Sequence, residues 1–382
     1  MRQTMELSWS DVAAWRARRH RLDERAPAGA MLQVVDELCG VHAQVMSSAE
    51  LTLWARLEDL PADAVQAALW EERTLIKTWA MRGTLHLLPA RDYGFWQAAL
   101  STQYVRFTKP SWSKASGIQP DELEELIEAV RDALDGEPLT REQLTATVTE
   151  RTGNAELAHM LADSWGSTLK PAAVRGALIF GPSAGQKVRF TRPESWVGNG
   201  ARSNQDPEEA AAEAARRYLA VHGPATREDV ARWWGVQPAP GGRLLKALGD
   251  AVVEVAVEGA PMWMLADDVS EAAQAKPVRG VRLLPGFDQY VIAATLHAER
   301  FMPSAELRPL VYRSQGWISA VLLVDGRMAG VWRYGRKGKR LAVEIEPFPG
   351  VKVPKAVRAA TDSEAESLAR FMGAELSLSW RI

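Results

Sequence analysis

The chain has 382 residues, 47% apolar and 25% charged, with a formal net charge of -2, so two to four domains are expected and bulk charge does not mark a strong polyanion binder. No run of about 18 apolar residues could span a bilayer, and no basic-then-apolar start resembles a signal peptide, which points to a cytoplasmic protein with no membrane partner. The lone Cys39 excludes an internal disulfide and a cysteine-built zinc ribbon, and is expected to be a small buried apolar residue.

In chain order, Ser8 or Ser10 can cap a helix reaching Arg19, and residues 28–39 read as a second helix. After a turn at Gly40 comes Val41-His42-Ala43-Gln44-Val45, then helices near 49–57 and 61–72, and strands at 74–79 and 83–88. The next segment carries helices at 121–134, 140–151 and 162–175, and apolar runs at 177–180 and 187–191. A polar link, 198–206, leads to helices at 207–221, 226–234 and 242–248, then strands at 252–257 and 262–265.

One phrase occurs twice. Gly136-Glu137-Pro138-Leu139-Thr140-Arg141-Glu142-Gln143 and Gly223-Pro224-Ala225-Thr226-Arg227-Glu228-Asp229 each place a Thr at a helix N-cap, with Gln143 or Asp229 three residues on to bond back. Each is followed by further helix and two strands around a turn. That is the order of a winged helix, whose second helix can enter a DNA groove while the hairpin touches backbone.

From about residue 278 the pattern is mostly strand: 280–285, 290–293, 317–324, 327–334 and 341–347, with Asp325-Gly326 as the strongest hairpin signal and a last helix at 363–372. The expected fold is therefore α+β: three tandem winged-helix units (1–102, 103–200 and 201–270) followed by a small β-rich C-terminal domain (271–382).

Spacing alone demands no enzyme. P-loop, HExxH, GxSxG and dinucleotide signatures are missing, and the six dispersed histidines offer no metal-ligand pair, so neither metal nor cofactor is expected. In Val41-His42-Ala43-Gln44, an extended backbone would put His42 and Gln44 on one face, either as loop groups bonding carbonyls or as a pair that binds and polarises one water. In Trp79-Ala80-Met81-Arg82-Gly83-Thr84-Leu85-His86, Arg82 and His86 could line a polar cleft or contact phosphate; alternatively Trp79 and Arg82 are structural, one packing and the other bonding carbonyls. Asp288, in Leu284-Pro285-Gly286-Phe287-Asp288, could orient a neighbour or stabilise its turn. Residues 327–340 hold six cations and no acid; Arg333, Arg336, Lys337, Lys339 and Arg340 among them are phosphate-contact candidates. Arg16, Arg18, Arg19, His20 and Arg21 form a second basic cluster, either solvated or phosphate-facing.

Together, Gly40-Val41-His42-Ala43-Gln44, Met81-Arg82-Gly83-Thr84-Leu85-His86 and Leu284-Pro285-Gly286-Phe287-Asp288 resemble the AlkZ and YcaQ family of bacterial winged-helix DNA glycosylases, over nearly the whole chain. The resemblance implies a glycosylase acting on double-stranded DNA that excises N7-alkylated or otherwise cationic purines, with unhooking of bulky antibiotic adducts or interstrand crosslinks in AlkZ-type members; because no lysine is placed for a Schiff base, a monofunctional enzyme is expected, acting as a monomer in repair or antibiotic self-resistance. The catalytic element there is Gln-x-Gln or Gln-x-Asp. His42-Ala43-Gln44 matches the first at Gln44 and departs from both at His42. The resemblance thus implies His42 and Gln44 as catalytic residues, with Arg82, His86, Asp288 and the basic hairpin as substrate or DNA contacts. The rival readings are a winged-helix regulator without catalysis, and a protein-interaction scaffold.

Overall fold

The computed structural model describes residues 5–155, 159–161, 168–201 and 203–381. Helices and strands are mixed along the chain, which divides into two compact units, Met1–Ala64 with Ala215–Ile382, and Val65–Ala214. Among the described residues no helix is long and apolar enough to cross a membrane.

In the first unit, Ser8 rather than Ser10 caps the helix Trp9–Arg19, its hydroxyl and the Asp11 carboxylate closing a capping box. Helix Met31–Glu37 ends where Cys39 (φ 57°) and Gly40 (φ 85°) both enter the left-handed region, turning the chain into the short strand Val41–His42. Cys39 is buried, as expected. Helix Met46–Trp54 follows. Glu6–Leu7 lies parallel to Val252–Val257, which pairs antiparallel with Ala260–Leu265 across the positive-φ turn Glu258-Gly259. Thr226 caps Arg227–Trp234 through its box with Asp229. The following helix, Pro238–Ala247, crosses so near that a Cβ on Gly241 would sit 2.7 Å from the Arg227 carbonyl.

The same unit carries a five-stranded sheet in the order Val281–Leu284, Val321–Val324, Arg327–Lys337, Arg340–Pro347, Glu375–Trp380, antiparallel except for the last, parallel pair. Asp325 (φ 50°) and Gly326 (φ 77°) form the expected two-residue hairpin turn. This sheet has no core of its own. Leu283, Val321 and Ile345 belong to one buried cluster with Trp15 and Val12 of the first helix, Leu51 and Trp54, and Met264 of the small sheet.

Two expected elements differ, and one strand was not foreseen. Residues 290–293 are not a strand: Asp288 caps a helix, Gln289–Ala293, and short helical turns continue to Val311. The β-branched and aromatic Tyr-Val-Ile run argued for strand, but a cap acting on the first turn decided otherwise. The last helix starts earlier, at Lys355, and a closing strand, Glu375–Trp380, follows it.

In the second unit, Leu75–Trp79 and Leu85–Pro89 form the first hairpin, near the expected positions. Helices Tyr93–Ser101 and Pro110–Ser116 were not foreseen. Pro120–Ala133 and Arg141–Thr152 follow, the latter capped by Thr140 with Gln143 as its box partner. Of the expected helix 162–175, residues 162–167 lie outside the described residues and Leu169–Val174 is helical. A second hairpin, Ile179–Ala184 with Lys187–Thr191, takes Leu139–Thr140 on its edge. Leu123, Leu126, Ile127, Leu144, Leu169 and Phe190 centre the core.

Candidate active site

His42 stands at the end of its two-residue strand with 5% of its surface exposed. The extended stretch stops there and the chain bends at Gln44, whose side chain is exposed, before helix Met46–Trp54. His42 is thus buried while Gln44, two residues on, is open to solvent.

What fixes the imidazole is a turn far along the chain. The Phe287 ring stacks on His42 with centroids 5.3 Å apart and planes 20° from parallel. Phe287 reaches this position with φ 61°, a left-handed conformation costly for a residue with a Cβ. A second tie runs through Gln289, which is buried and donates from Nε2 to the Leu38 carbonyl at 3.2 Å and to the Gly40 carbonyl. Stacking and amide bonds together join the 285–289 turn to the loop that presents His42.

Asp288 anchors that turn. Its carboxylate is 0% exposed and accepts from Arg56 Nη1 at 2.7 Å and Nη2 at 2.9 Å, and from the Tyr290 amide at 2.9 Å. Arg56, also fully buried, donates to the Thr52 carbonyl at 2.9 Å and so ties the end of helix Met46–Trp54 to the same carboxylate. Asp288, expected as a DNA or substrate contact, is thus fully buried and orients its neighbours.

Behind the pair, His20 Nδ1 lies 3.5 Å from Arg56 Nη2 and His20 Nε2 lies 3.2 Å from His222 Nδ1. Burial, then the neighbouring His222, Arg56 and Arg16, hold the His20 imidazole well below its ordinary pKa. The neutral tautomer that fits carries its proton on Nε2, accepting from Arg56 and donating to His222. Arg16, 3% exposed, donates to the Pro224 carbonyl at 2.7 Å. Arg19 pairs with Asp268, and Arg21 with Glu37 at 2.8 Å. The basic end of the first helix is thus largely engaged by internal bonds.

The basic hairpin is different. Strands Arg327–Lys337 and Arg340–Pro347 pair through Lys337 and Arg340 around Gly338-Lys339, with Gly338 at φ 58°. Arg336, Lys337, Lys339 and Arg340 are all exposed at this tip. Arg333 is exposed too but pairs with Glu346 and lies 3.8 Å from Glu344, so its charge is already compensated.

Arg82 and His86 belong to the first hairpin of the second unit. Arg82 sits in the turn Met81–Gly83 at φ 59° with its side chain half-buried. His86 is 2% exposed, opposite Thr78 in the hairpin register, and its Nδ1 is 3.0 Å from the Thr84 carbonyl. Among the described residues no three His, Cys, Asp or Glu side chains converge as a metal site.

Sequence reasoning missed Arg56, Phe287, Gln289 and His20, which act across more than two hundred positions or in pairs of remote loops; only the conspicuous aromatic turn around Asp288 pointed towards them. Because Arg56 and Asp288 are both fully buried, removing one partner strands the other's charge. Arg56→Met is expected to lower unfolding free energy by about 3–5 kcal/mol, measured by urea denaturation. A loss below about 1 kcal/mol would place the pair in a solvated setting instead.

A family model described as DNA glycosylase AlkZ-like matches residues 35–371. The chain is 38% identical over 372 residues to the interstrand DNA cross-link repair glycosylase of Streptomyces sahachiroi, covering 97% of this chain and 98% of that protein. Among solved structures, the Streptomyces sahachiroi DNA glycosylase AlkZ matches with a TM-score of 0.88 at 37% identity, over 99% of this chain and 100% of that one. The matched span contains the His42 loop, the 285–289 turn and the basic hairpin, and the chain belongs to the AlkZ-like family of DNA glycosylases.

Proposed function

We propose that this glycosylase hydrolyses the N-glycosidic bond of N7-alkylated purines in duplex DNA, cationic or bearing bulky adducts, and leaves an abasic site. The observation that carries the reading is the His42 imidazole, braced by Phe287 on a loop pinned by Gln289, two residues before the exposed side chain of Gln44. Alkylation at N7 makes the purine a cationic leaving group, so the C1′–N9 bond breaks through an oxocarbenium-like state that needs no strong nucleophile. The water oxygen bonds to C1′, the N9 electron pair leaves with the purine and neutralises it, and the water proton passes to His42. Gln44 positions that water, accepting from it and donating to it.

The monofunctional assignment follows from this route, which uses no lysine. Crosslink unhooking is supported by the name of the Streptomyces sahachiroi relative; self-resistance to a DNA-alkylating toxin is the biological setting that would select for it. We read the DNA-binding frame as three winged-helix units, residues 1–102, 103–200 and 201–270, with 271–382 as the β-rich part, acting as a monomer in the cytoplasm. The capped helices at Thr140 and Thr226, each followed by helix and hairpin, support that division. Net charge near zero does not oppose it, since the cations that count are concentrated at the tip formed by Arg336, Lys337, Lys339 and Arg340. Arg82, in its turn, is assigned to phosphate, and His86 to bracing that turn.

With duplex containing N7-methylguanine, His42→Ala and Gln44→Ala are each expected to slow base release by roughly 10²–10⁴-fold, read by alkaline cleavage of abasic sites, and His42→Gln to retain more activity than His42→Ala. Release that survives both alanine substitutions would remove the assignment. Replacing the four tip cations by Ala should weaken duplex binding and flatten the slope of log affinity against log salt by up to about 0.9 for each phosphate that is no longer neutralised; an unaltered slope would take the hairpin out of the interface.

A further inference from the structure

Beside the His42–Phe287 stack lies a loop that the chemistry above does not use. The isolated bridge between Tyr312 and Ile318 closes it, reinforced by Arg313 N donating to the Trp317 carbonyl at 2.8 Å. Gln315 (φ 57°) and Gly316 (φ 75°) are both left-handed, so the backbone reverses sharply immediately before Trp317. The loop is seated on the 285–289 turn: a Cβ on Gly286 would stand 3.0 Å from the Ile318 carbonyl, and the Trp317 ring meets Phe287 edge-on, centroids 5.0 Å apart at 73°.

Yet Trp317 is 50% exposed. An indole that only had to cover Phe287 would bury far more of itself, since large apolar surface in water is unfavourable. The residues around it, Arg313, Ser314, Gln315 and Gly316, are all exposed and include a cation and no acid. A cation and a half-exposed aromatic ring on one tight loop are the complement of a phosphate and a base face, because every base presents a π-surface and stacking tolerates any sequence.

We propose that residues 313–317 form a duplex-contacting loop in which Trp317 stacks on a base next to the damaged nucleotide and Arg313 meets a phosphate. The inference rests on the function proposed above. It gives the enzyme a way to hold the duplex open at the lesion through a neighbouring base, without first enclosing the adduct, which suits purines too bulky for a closed pocket. Because Trp317 touches Phe287, the same ring would sense whether a base is stacked and transmit that contact to the wall behind His42.

The test uses the full chain and a duplex with a tetrahydrofuran abasic analogue, which resists hydrolysis, flanked by 2-aminopurine. Wild-type protein should quench the 2-aminopurine on binding. Trp317→Ala should bind about 5- to 100-fold more weakly and lose the quenching, while Trp317→Phe keeps most of both. Arg313→Ala should keep the quenching and reduce the salt slope by about 1. Trp317→Ala that folds, binds and quenches as wild type would overturn the proposal, including when base release is slowed, since that pattern assigns the ring only to covering Phe287. Base release from N7-methylguanine duplex by the wild type, run in parallel, separates the two failures: its absence removes the function itself, its presence with unaltered Trp317→Ala binding removes only the loop.

Discussion

The ion pair between Arg56 and Asp288 is the constraint on which the site depends. Neither side chain reaches solvent, and each serves several groups at once: Arg56 holds the Thr52 carbonyl at the end of helix Met46–Trp54, and Asp288 holds the first turn of Gln289–Ala293. A buried pair of this kind adds little net stability compared with well-packed apolar residues, but it defines geometry, because any other arrangement leaves a charge without compensation. Here it sets where the 285–289 turn lies against the loop before helix Met46–Trp54, and through Phe287 and Gln289 it sets where His42 lies. The neutral His20, between Arg56 and His222, extends the same network to the first helix without adding a third charge.

The proposed division of labour separates rigid chemistry from exposed recognition. His42 is buried against aromatic surface and needs only to take a proton, whereas Gln44, Trp317 and the tip of the basic hairpin are exposed, where a substrate can reach them. Positive charge is distributed accordingly. The cations at the end of the first helix are spent on carbonyls and carboxylates inside the fold, while those from Arg336 to Arg340 remain at the surface. A net charge of -2 is therefore compatible with a polyanionic partner.

Local signals were legible in the sequence, and long-range ones were not. Thr140 and Thr226 could be read as caps because the box partner stands three residues away, and Asp325-Gly326 could be read as a turn because two residues specify its backbone. Asp288 illustrates the limit: as a cap it is a local feature, outweighed by the strand preference of Tyr290, Val291 and Ile292, and as the partner of Arg56 it is invisible without the fold. The internal partners of the basic run at residues 16–21 were hidden for a related reason, since charge counts do not reveal which carboxylates or carbonyls tertiary packing will supply. His42 and Gln44 were singled out by chemistry and resemblance, but the ring that braces His42 lies 245 positions further along (287 minus 42) and no periodicity points to it.

If Phe287 acts on base release through His42, a double-mutant cycle in single-turnover base release from N7-methylguanine duplex will show the two coupled. Phe287→Ala should slow release about 10- to 100-fold in the wild-type background, the scale of a small misplacement of a catalytic group, and have little further effect once His42 is already Ala. Equal losses in both backgrounds, or none in the wild type, would mean that Phe287 does not act through His42.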